Sequence, residues 1–267
     1  MSTDTVLEAR DLHKDFGGVN AVDGASFELD AGEFVGLIGP NGAGKTTMFN
    51  LLAGSLDPTS GTVMYREDDV TAWSANKRAR AGLVRTFQIP RPFRRLTVRE
   101  NTMVAGPDHP GEGFVHGLFI TPRSRNREIE LQEKAHEILD FVGLDDKHDT
   151  LAGHLSGGQR KLLEIGRALM LDPEVLLLDE PMAGVNPTLG EQIIDRLKEL
   201  HERGMTLCVV EHDMDFVLAH CPRAIVMVQG QVLVDGPPSE VLEDPRVLEA
   251  YLGGGQAPTE RGGDASA

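Results

Sequence analysis

Residues 33–54 read EFVGLIGPNGAGKTTMFNLLAG, an apolar strand that leads through a glycine-rich turn into a helix. The turn fits the pattern G-x-x-x-x-G-K-[ST] in the structural context that this pattern needs. Because glycine adopts positive φ at low cost, consecutive backbone N–H groups can converge on an anion at the positive end of the helix. We therefore predict a nucleotide-phosphate site, in which Lys45 reaches the β- and γ-phosphates, Thr46 holds Mg²⁺ and Thr47 bonds the α-phosphate. The predicted contacts are Gly39, Pro40, Asn41, Gly42, Ala43, Gly44, Lys45, Thr46 and Thr47.

The composition limits the class of protein and its location. The chain has 267 residues, of which 40% are hydrophobic and 25% are charged, as is typical of a globular domain. No apolar run approaches the ~18 residues that a membrane span needs. The start, MSTDTVLEARD, has acidic residues where an export signal has a basic start and an apolar core. Cys208 and Cys221 lie far apart without metal-ligand spacing, so we expect reduced thiols in a cytoplasmic protein.

The chain is strongly acidic, with a formal net charge of −16 and an isoelectric point near 4.9. Such a surface repels phosphate backbones, so we expect no nucleic-acid partner. Residues 77–99 depart from this trend, because they contain eight Lys or Arg residues and no acid. Two interpretations are open: a solvated helix face and loop, or an interface, which the interleaved Ile, Pro, Phe and Leu residues favour. The basic residues are Lys77, Arg78, Arg80, Arg85, Arg91, Arg94, Arg95 and Arg99.

Polar side chains follow several predicted strands, at the edge where open α/β sheets bind their ligands. The run VLLLDEP predicts a strand buried on both faces that ends in Asp179 and Glu180. We predict that Asp179 holds Mg²⁺ through its water shell and that Glu180 takes a proton from an attacking water. Gln88 and His212 each follow another predicted strand. A lone histidine there is usually structural, but beside the other residues His212 is predicted to contact the γ-phosphate.

The segment before the phosphate loop predicts two short antiparallel strands, over residues 6–12 and 25–29, with a turn at FGG between them. Phe16 lies in that turn. An isolated Phe more often belongs to a core, but an aromatic ring ahead of a phosphate loop can stack on adenine, and we predict that role for Phe16. Val22 is a further predicted nucleotide contact.

A second glycine-rich turn, LSGGQ at residues 155–159, opens a predicted helix. Ser156 and Gln159 have the spacing of a capping box, which is one interpretation of the turn. Gly157 and Gly158 are costly at a helix start unless the backbone must approach something closely. The other interpretation is therefore a second anion-binding helix start.

The middle and the end of the chain contain loop-forming sequence. Residues 101–128 are rich in Gly, Pro and His and predict a surface insertion, ahead of an amphipathic helix over residues 127–142. The last residues, GGGQAPTERGGDASA, predict a disordered tail.

Through these motifs the sequence resembles the ATP-binding subunits of ABC transporters over nearly all of its length. GPNGAGKTT, Gln88, LSGGQ, VLLLDEP and His212 occur in the order of that family. The resemblance implies an α/β P-loop NTPase core with a mixed sheet, an antiparallel β subdomain and an inserted helical subdomain over about residues 90–170. It implies one nucleotide-binding domain over residues 1–253, followed by the tail at 254–267.

The resemblance also implies the activity and the partners. The chain is expected to be a Mg²⁺-dependent ATPase in which Gln88, besides Thr46 and Asp179, serves the metal, and Gln88, Lys45, Glu180 and His212 serve catalysis. In this family the LSGGQ residues of one subunit close over the nucleotide held by another, which implies that role for Ser156, Gly157, Gly158 and Gln159. The expected partners are a second ABC ATPase subunit, identical or different, two transmembrane permease subunits at the cytoplasmic face of the membrane and, indirectly, an external solute-binding protein.

Within the family, GLVRTFQIPRPFRRLTVREN and AGVNP look like the subunits of branched-chain amino-acid importers. One departure is Asn186, where most of the superfamily carries Asp. Import of urea or short amides remains an alternative, and so does lipopolysaccharide export, which ranks lower because that group usually lacks Arg-Thr-Phe before the glutamine. A soluble ABC ATPase of translation, repair or cluster assembly is a further alternative, although the translation type usually carries two cassettes. If the chain serves a permease, the basic residues around Gln88 are predicted to bind it.

Overall fold

The structure is a computed structural model that describes residues 5–86, 91–107 and 122–252. The strands are β1 (Thr5–Phe16), β2 (Val19–Asp30), β3 (Phe34–Ile38), β4 (Ser60–Tyr65), β5 (Asp68–Asp69), β6 (Leu83–Arg85), β7 (Val175–Asp179), β8 (Thr206–Val210), β9 (Arg223–Val228) and β10 (Gln231–Gly236). The helices are α1 (Lys45–Leu52), α2 (Ala75–Arg80), α3 (Val98–Val104), α4 (Pro122–Phe141), α5 (Gly157–Leu169), α6 (Pro187–Glu202), α7 (Met214–His220), α8 (Pro238–Glu243) and α9 (Pro245–Leu252).

A six-stranded sheet carries the candidate site, with the strand order β10-β9-β3-β8-β7-β6. All neighbours are parallel except β10, which runs antiparallel to β9. Every residue of β3, β7 and β8 is buried, as expected of parallel strands covered on both faces. The carboxyl ends of these strands meet at one edge, so the segments after β3, β7 and β8 are neighbours in space.

The two faces of this sheet support separate hydrophobic cores. Side chains alternate along β7, so Leu176 and Leu178 pack in one core with α5 and α6, while Val175 and Leu177 pack in the other with α1. The chain segments that hold the site are therefore fixed from both sides of the sheet.

A second sheet is antiparallel and has the order β2-β1-β4-β5. Its first two strands are longer than the predicted ranges 6–12 and 25–29, because they continue to the turn at Gly17 and Gly18, where φ is +63° and +100°. The sheet adjoins the phosphate loop through the N–H of Asp23, which donates to the Gly230 carbonyl at 2.9 Å, and the N–H of Gly230, which donates to the Ala43 carbonyl at 3.0 Å.

The prediction of a surface insertion from residue 101 was wrong at its start. A capping box between Thr97 and Glu100 begins α3, and Asn101 and Thr102 are completely buried within it. The Asn101 amide donates to the carbonyls of Phe93 and Leu96 at 3.0 and 3.2 Å, so its polarity is satisfied inside the fold. Residues 108–121 lie outside the described residues, and α4 begins at residue 122, five residues before the predicted start.

Within residues 5–86, 91–107 and 122–252, no helix combines the length and the apolar character that crossing a bilayer takes.

Candidate active site

The phosphate loop, residues 39–46, follows β3 and packs closely on two other strands. A Cβ at Gly39 would lie 2.1 Å from the Met227 carbonyl oxygen, and one at Gly44 would lie 2.3 Å from the Ala21 carbonyl oxygen. Both positions also have positive φ, +150° and +98°. Glycine is therefore required at both ends of the loop. Asn41 and Gly42 are exposed, Pro40 is half-buried and Ala43 is buried.

Lys45 begins α1 with its ammonium group folded back onto the loop. The side chain is buried, and Nζ donates to the carbonyls of Gly39 at 2.6 Å and Pro40 at 3.1 Å. Desolvation lowers the pKa of Lys45, against the opposing attraction of the Glu180 and Asp179 carboxylates. The ammonium group thus bonds the loop carbonyls and is attracted by the two acids at the end of β7.

Asp179 ends β7 with a buried carboxylate, of which only one oxygen is hydrogen-bonded. Oδ2 accepts from Arg85 Nη2 at 2.7 Å, whereas Oδ1 is buried and has no hydrogen-bond partner among the described residues. Thr46 and Asp179 line the same cavity of about 620 Å³. A free carboxylate oxygen and a threonine hydroxyl are the hard oxygen ligands that Mg²⁺ prefers, so these residues fit the predicted metal site.

Glu180 adopts a backbone conformation that is uncommon for a non-glycine residue, with φ +46°. Its N–H donates to the Val210 carbonyl at 2.9 Å, and its own carbonyl accepts from Lys161 Nζ at 3.0 Å. These bonds hold the strained residue at the edge of the sheet, and strain of this kind is concentrated at functional sites.

Glu211 directly follows β8, at the same edge of the sheet as Asp179, and no role was predicted for it from the sequence. It is completely buried, and burial raises the pKa of its carboxyl group. Oε1 accepts from the Met182 N–H at 3.1 Å, and Oε2 lies 3.8 Å from Nδ1 of His212. An acid directly after an apolar strand is the signal that identified Asp179, and the same signal would have identified Glu211.

The remaining residues predicted around the nucleotide are differently exposed. Phe16 is 52% exposed and does not belong to a core, and Lys14 Nζ lies 5.3 Å from the centre of its ring. Val22 is completely buried. The side chain of His212 is 63% exposed. Gln88 lies outside the described residues, so its two predicted roles stay predictions.

The basic run at residues 77–99 does not form one surface. Arg78 is buried and donates to the carbonyls of Leu51 and Leu52 at 2.7 and 2.6 Å, and burial lowers its pKa to about 10. The side chain of Arg85 is buried in an ion pair with Asp179. Nothing in the sequence distinguishes these two arginines from their exposed neighbours Arg94 and Arg95.

Similarity to known sequences assigns the chain to a family. A family model described as ABC transporter matches residues 22–183. The chain belongs to the ABC transporter family. A second model, described as branched-chain amino acid ATP-binding cassette transporter, matches residues 231–257. The family predicted from the motifs is confirmed.

Relatives match this ABC cassette over its length. A probable branched-chain amino acid transport ATP-binding protein of Archaeoglobus fulgidus is 39% identical over 257 residues, which cover 96% of this chain and 99% of the relative. A high-affinity branched-chain amino acid transport ATP-binding protein of Pseudomonas aeruginosa is 40% identical over 249 residues, 93% of this chain and 98% of the relative.

Solved ABC cassettes confirm the predicted fold class. The crystal structure of a nucleotide-free ATP-binding cassette from an ABC transporter is 39% identical, with a TM-score of 0.81 over 92% of this chain and 98% of that one. The ADP conformation of another ATP-binding cassette is 38% identical, with a TM-score of 0.80 over 93% and 99% of the two chains.

The LSGGQ loop of this cassette forms the predicted capping box. The N–H of Gln159 donates to Ser156 Oγ at 3.3 Å, and the N–H of Ser156 donates to Gln159 Oε1 at 3.0 Å. A Cβ at Gly158 would lie 2.7 Å from Leu189 Cδ1, whereas one at Gly157 would meet the Gly184 carbonyl at an ordinary 3.5 Å. The loop therefore packs on the segment after β7. Two cavities border residues 39–46, and the described residues that line them include none from the LSGGQ loop.

Asn186, the departure from the family pattern, caps α6. Its side chain accepts from the Leu189 N–H at 3.0 Å, and Pro187 occupies the first helical position. Asn and Asp cap helices about equally well, so the local structure is kept.

The C-terminal segment of the cassette reaches the phosphate loop. Glu249 and Ala250 of α9 line a cavity of about 300 Å³ with Pro40, Asn41 and Gly42. This contact lies in the segment that matches the branched-chain amino acid cassette model.

Proposed function

We propose that the protein is the Mg²⁺-dependent, ATP-hydrolysing subunit of an ABC importer for branched-chain amino acids. The observation that carries the proposal is the meeting of the phosphate loop with Asp179 and Glu180 at one edge of the parallel sheet. The Lys45 ammonium group there is attracted by both acids, and Thr46 and Asp179 share a cavity. The choice of solute rests on the relatives' names and on the match at residues 231–257.

The roles divide by chemistry. Residues 39–47 bind the phosphates, with Phe16 stacked on the base and Val22 beside it. Thr46, Asp179 and Gln88 hold Mg²⁺, which when bound neutralises phosphate charge. Phosphoryl transfer needs little beyond positioning and charge stabilisation, so the ammonium of Lys45 stabilises the phosphate oxygens.

Glu180 accepts the proton of the attacking water, since a carboxylate held by its backbone at the sheet edge can act as a general base. Gln88 and His212 position the γ-phosphate. The high exposure of His212 leaves it free to turn toward that phosphate.

The assembly is a dimer that binds a permease. The LSGGQ residues, Ser156, Gly157, Gly158 and Gln159, close over the nucleotide of a second ABC ATPase subunit. Two permease subunits hold this dimer at the cytoplasmic face of the membrane, and an external solute-binding protein delivers the solute to them. We further propose one nucleotide-binding domain over residues 1–253, a helical subdomain over about 90–170 and a disordered tail at 254–267.

Reconstitution tests this function. The protein is assembled with permease subunits and a solute-binding protein from the same organism. ATP-driven uptake of leucine, urea and acetamide into vesicles is then measured with Mg²⁺ and with EDTA. Leucine uptake that needs Mg²⁺ and is lost in Lys45→Ala is expected, with Lys198→Ala, at an exposed position on α6, as the control. Uptake of urea or acetamide instead would replace the proposed solute, and ATP-independent uptake would remove the ATPase role.

A further inference from the structure

The guanidinium group of Arg85 joins three elements of the site. Nη1 donates to Asn50 Oδ1 on α1 at 2.6 Å, and Nη2 donates to Asp179 Oδ2 on β7 at 2.7 Å. The Arg85 and Asp179 side chains are only 8% and 2% exposed. This is a bridge inside the fold and not a surface ion pair.

We propose that Arg85 is a positioning residue for the metal-binding carboxylate. It holds Asp179 by Oδ2, so that Oδ1 is the oxygen offered to Mg²⁺ and its bound waters. The inference rests on the proposed function, because it concerns the same metal site.

The unequal use of the two carboxylate oxygens supports this role. Oδ1 of Asp179 is buried without a hydrogen-bond partner among the described residues, while Oδ2 is bonded to the guanidinium. A buried polar atom without a partner is costly, and such an atom in a native structure calls for an explanation. The cavity that Asp179 shares with Thr46 supplies it, because a hydrated cation there would satisfy Oδ1 without displacing Arg85.

The position of Asn50 extends the argument to Thr46. Asn50 follows Thr46 by four residues on α1, so the two side chains lie on one face of the helix. By bonding Asn50 and Asp179 at once, Arg85 ties the carboxylate to the helix that carries the hydroxyl ligand. The bridge thereby fixes the position of Asp179 relative to Thr46, the other proposed metal ligand.

The chemistry of arginine suits this bridge. The guanidinium group is planar, carries several N–H donors in a fixed fork and stays charged when buried. The ammonium group of lysine is a point charge that cannot match this fork, and a glutamine leaves the Asp179 charge buried without its cation. Partners that orient a metal ligand typically contribute 10- to 100-fold to metal affinity.

Metal binding tests the role separately from turnover. Mn²⁺ is titrated into protein with a non-hydrolysable ATP analogue, and the free ion is measured by electron paramagnetic resonance. Arg85→Gln is expected to weaken Mn²⁺ binding about 10- to 100-fold, while affinity for a fluorescent ATP analogue in EDTA changes less than about twofold. Arg85→Lys is expected to weaken Mn²⁺ binding as well, and it supplies the test if Arg85→Gln does not fold.

Arg66→Gln is the matched control. Arg66 also pairs with an acid, Glu174, at 2.8 Å, but Glu174 precedes β7 at the end opposite Asp179, and the Arg66 side chain is 65% exposed. Its Mn²⁺ affinity should equal that of the wild type. Unchanged or tighter Mn²⁺ binding in a folded Arg85 variant overturns the inference, and tighter binding would mean that Arg85 competes with the metal. Wild-type protein that binds no Mn²⁺ with the analogue overturns the proposed function too.

Discussion

Three acidic residues at the sheet edge, Asp179, Glu180 and Glu211, differ in the interactions that hold them. Asp179 is paired with an arginine, Glu180 is held by its backbone at positive φ, and Glu211 is buried with Oε1 accepting from the Met182 N–H. Residue type and position after a strand predicted the first two. The partner of Asp179 was not predictable, because Arg85 lies in a run of basic residues that look alike until the chain folds.

Replacing Glu180 should separate nucleotide binding from chemistry. Glu180→Gln keeps the size and the backbone bonds of the residue, but an amide cannot accept the proton of water. We expect nucleotide affinity within about threefold of wild type and hydrolysis slowed at least about 100-fold, measured in a single-turnover assay. Glu191→Gln on the exposed face of α6 is the control. Full turnover by Glu180→Gln would remove Glu180 as the base.

The burial of Glu211 gives stability a pH dependence. Its folded-state pKa is raised above its ordinary value, so the folded protein holds the proton more tightly than the unfolded chain does. Protonated Glu211 therefore stabilises the folded protein at low pH, and this stabilisation is lost as the pH rises through the folded-state pKa.

Glu211→Gln removes that titration and retains an oxygen for the Met182 N–H. The variant's melting temperature should rise relative to wild type as the pH goes from 5 to 8, in thermal unfolding followed by circular dichroism. A difference from wild type that does not change with pH would contradict this assignment.

At the scale of elements, strands and helices were predicted correctly where an apolar run or a glycine-rich turn marks them in the sequence. β3 was predicted as an apolar strand ahead of the phosphate loop, and the LSGGQ turn was predicted to open the helix that is α5, because apolar residues and glycines mark these positions. The helix α3 was missed because the stretch from residue 101 onward is rich in Gly, Pro and His and was predicted as an insertion. Asn101 is satisfied by carbonyls of the segment before α3, and Thr102 by the Val98 carbonyl of its own helix.

The glycines that open α5 should differ in their tolerance of a methyl group. Gly158→Ala places a Cβ 2.7 Å from Leu189 Cδ1, whereas Gly157→Ala meets nothing closer than 3.5 Å. Overpacking of this kind costs about 1–3 kcal/mol, so Gly158→Ala should lower the free energy of unfolding in urea by that amount. Gly157→Ala, the matched control, should stay within about 0.5 kcal/mol of wild type. Equal losses in the two variants would contradict the packing of α5 on α6.

At the scale of the molecule, the net charge opposes the dimer that we propose. The LSGGQ loop packs on the segment after β7, and each chain carries a net charge of −16. A dimer must therefore overcome repulsion between two acidic subunits, which salt screens. The resemblance to ABC transporters already implied the dimer, and the net charge adds the expected effect of salt on it.

Blocking hydrolysis should trap the dimer. Glu180→Gln with ATP and Mg²⁺ is expected to shift in light scattering from 29.0 kDa toward twice that mass, more completely at 0.3 M than at 0.05 M salt. The same variant without nucleotide should remain at one subunit's mass. If the natural partner is a different ATPase subunit, the shift should appear when that subunit is added. A mass that stays at one subunit with ATP and either partner would contradict the closed dimer.

Part of the basic run at residues 77–99 stays exposed on the folded protein. With Arg78 and Arg85 buried, Arg94 and Arg95 stay exposed beside Phe93, which is 51% exposed under the guanidinium of Arg167 at 5.6 Å. Arginines around an exposed aromatic ring are typical of a protein interface, and a permease is the partner that we propose for it.

Reversing both charges, with Arg94→Glu and Arg95→Glu together, should weaken capture of the permease about tenfold or more in a pull-down from detergent. The ATP affinity of the isolated subunit should stay normal, since neither residue lies in the phosphate loop. Reversal at Arg10 and Lys198, two exposed cations on β1 and α6, is the control for net charge. Because both doubles make the protein more acidic by the same amount, only a local interface explains a loss confined to the first. Equal capture by the two doubles, with transport intact, would show that the basic residues form a solvated face.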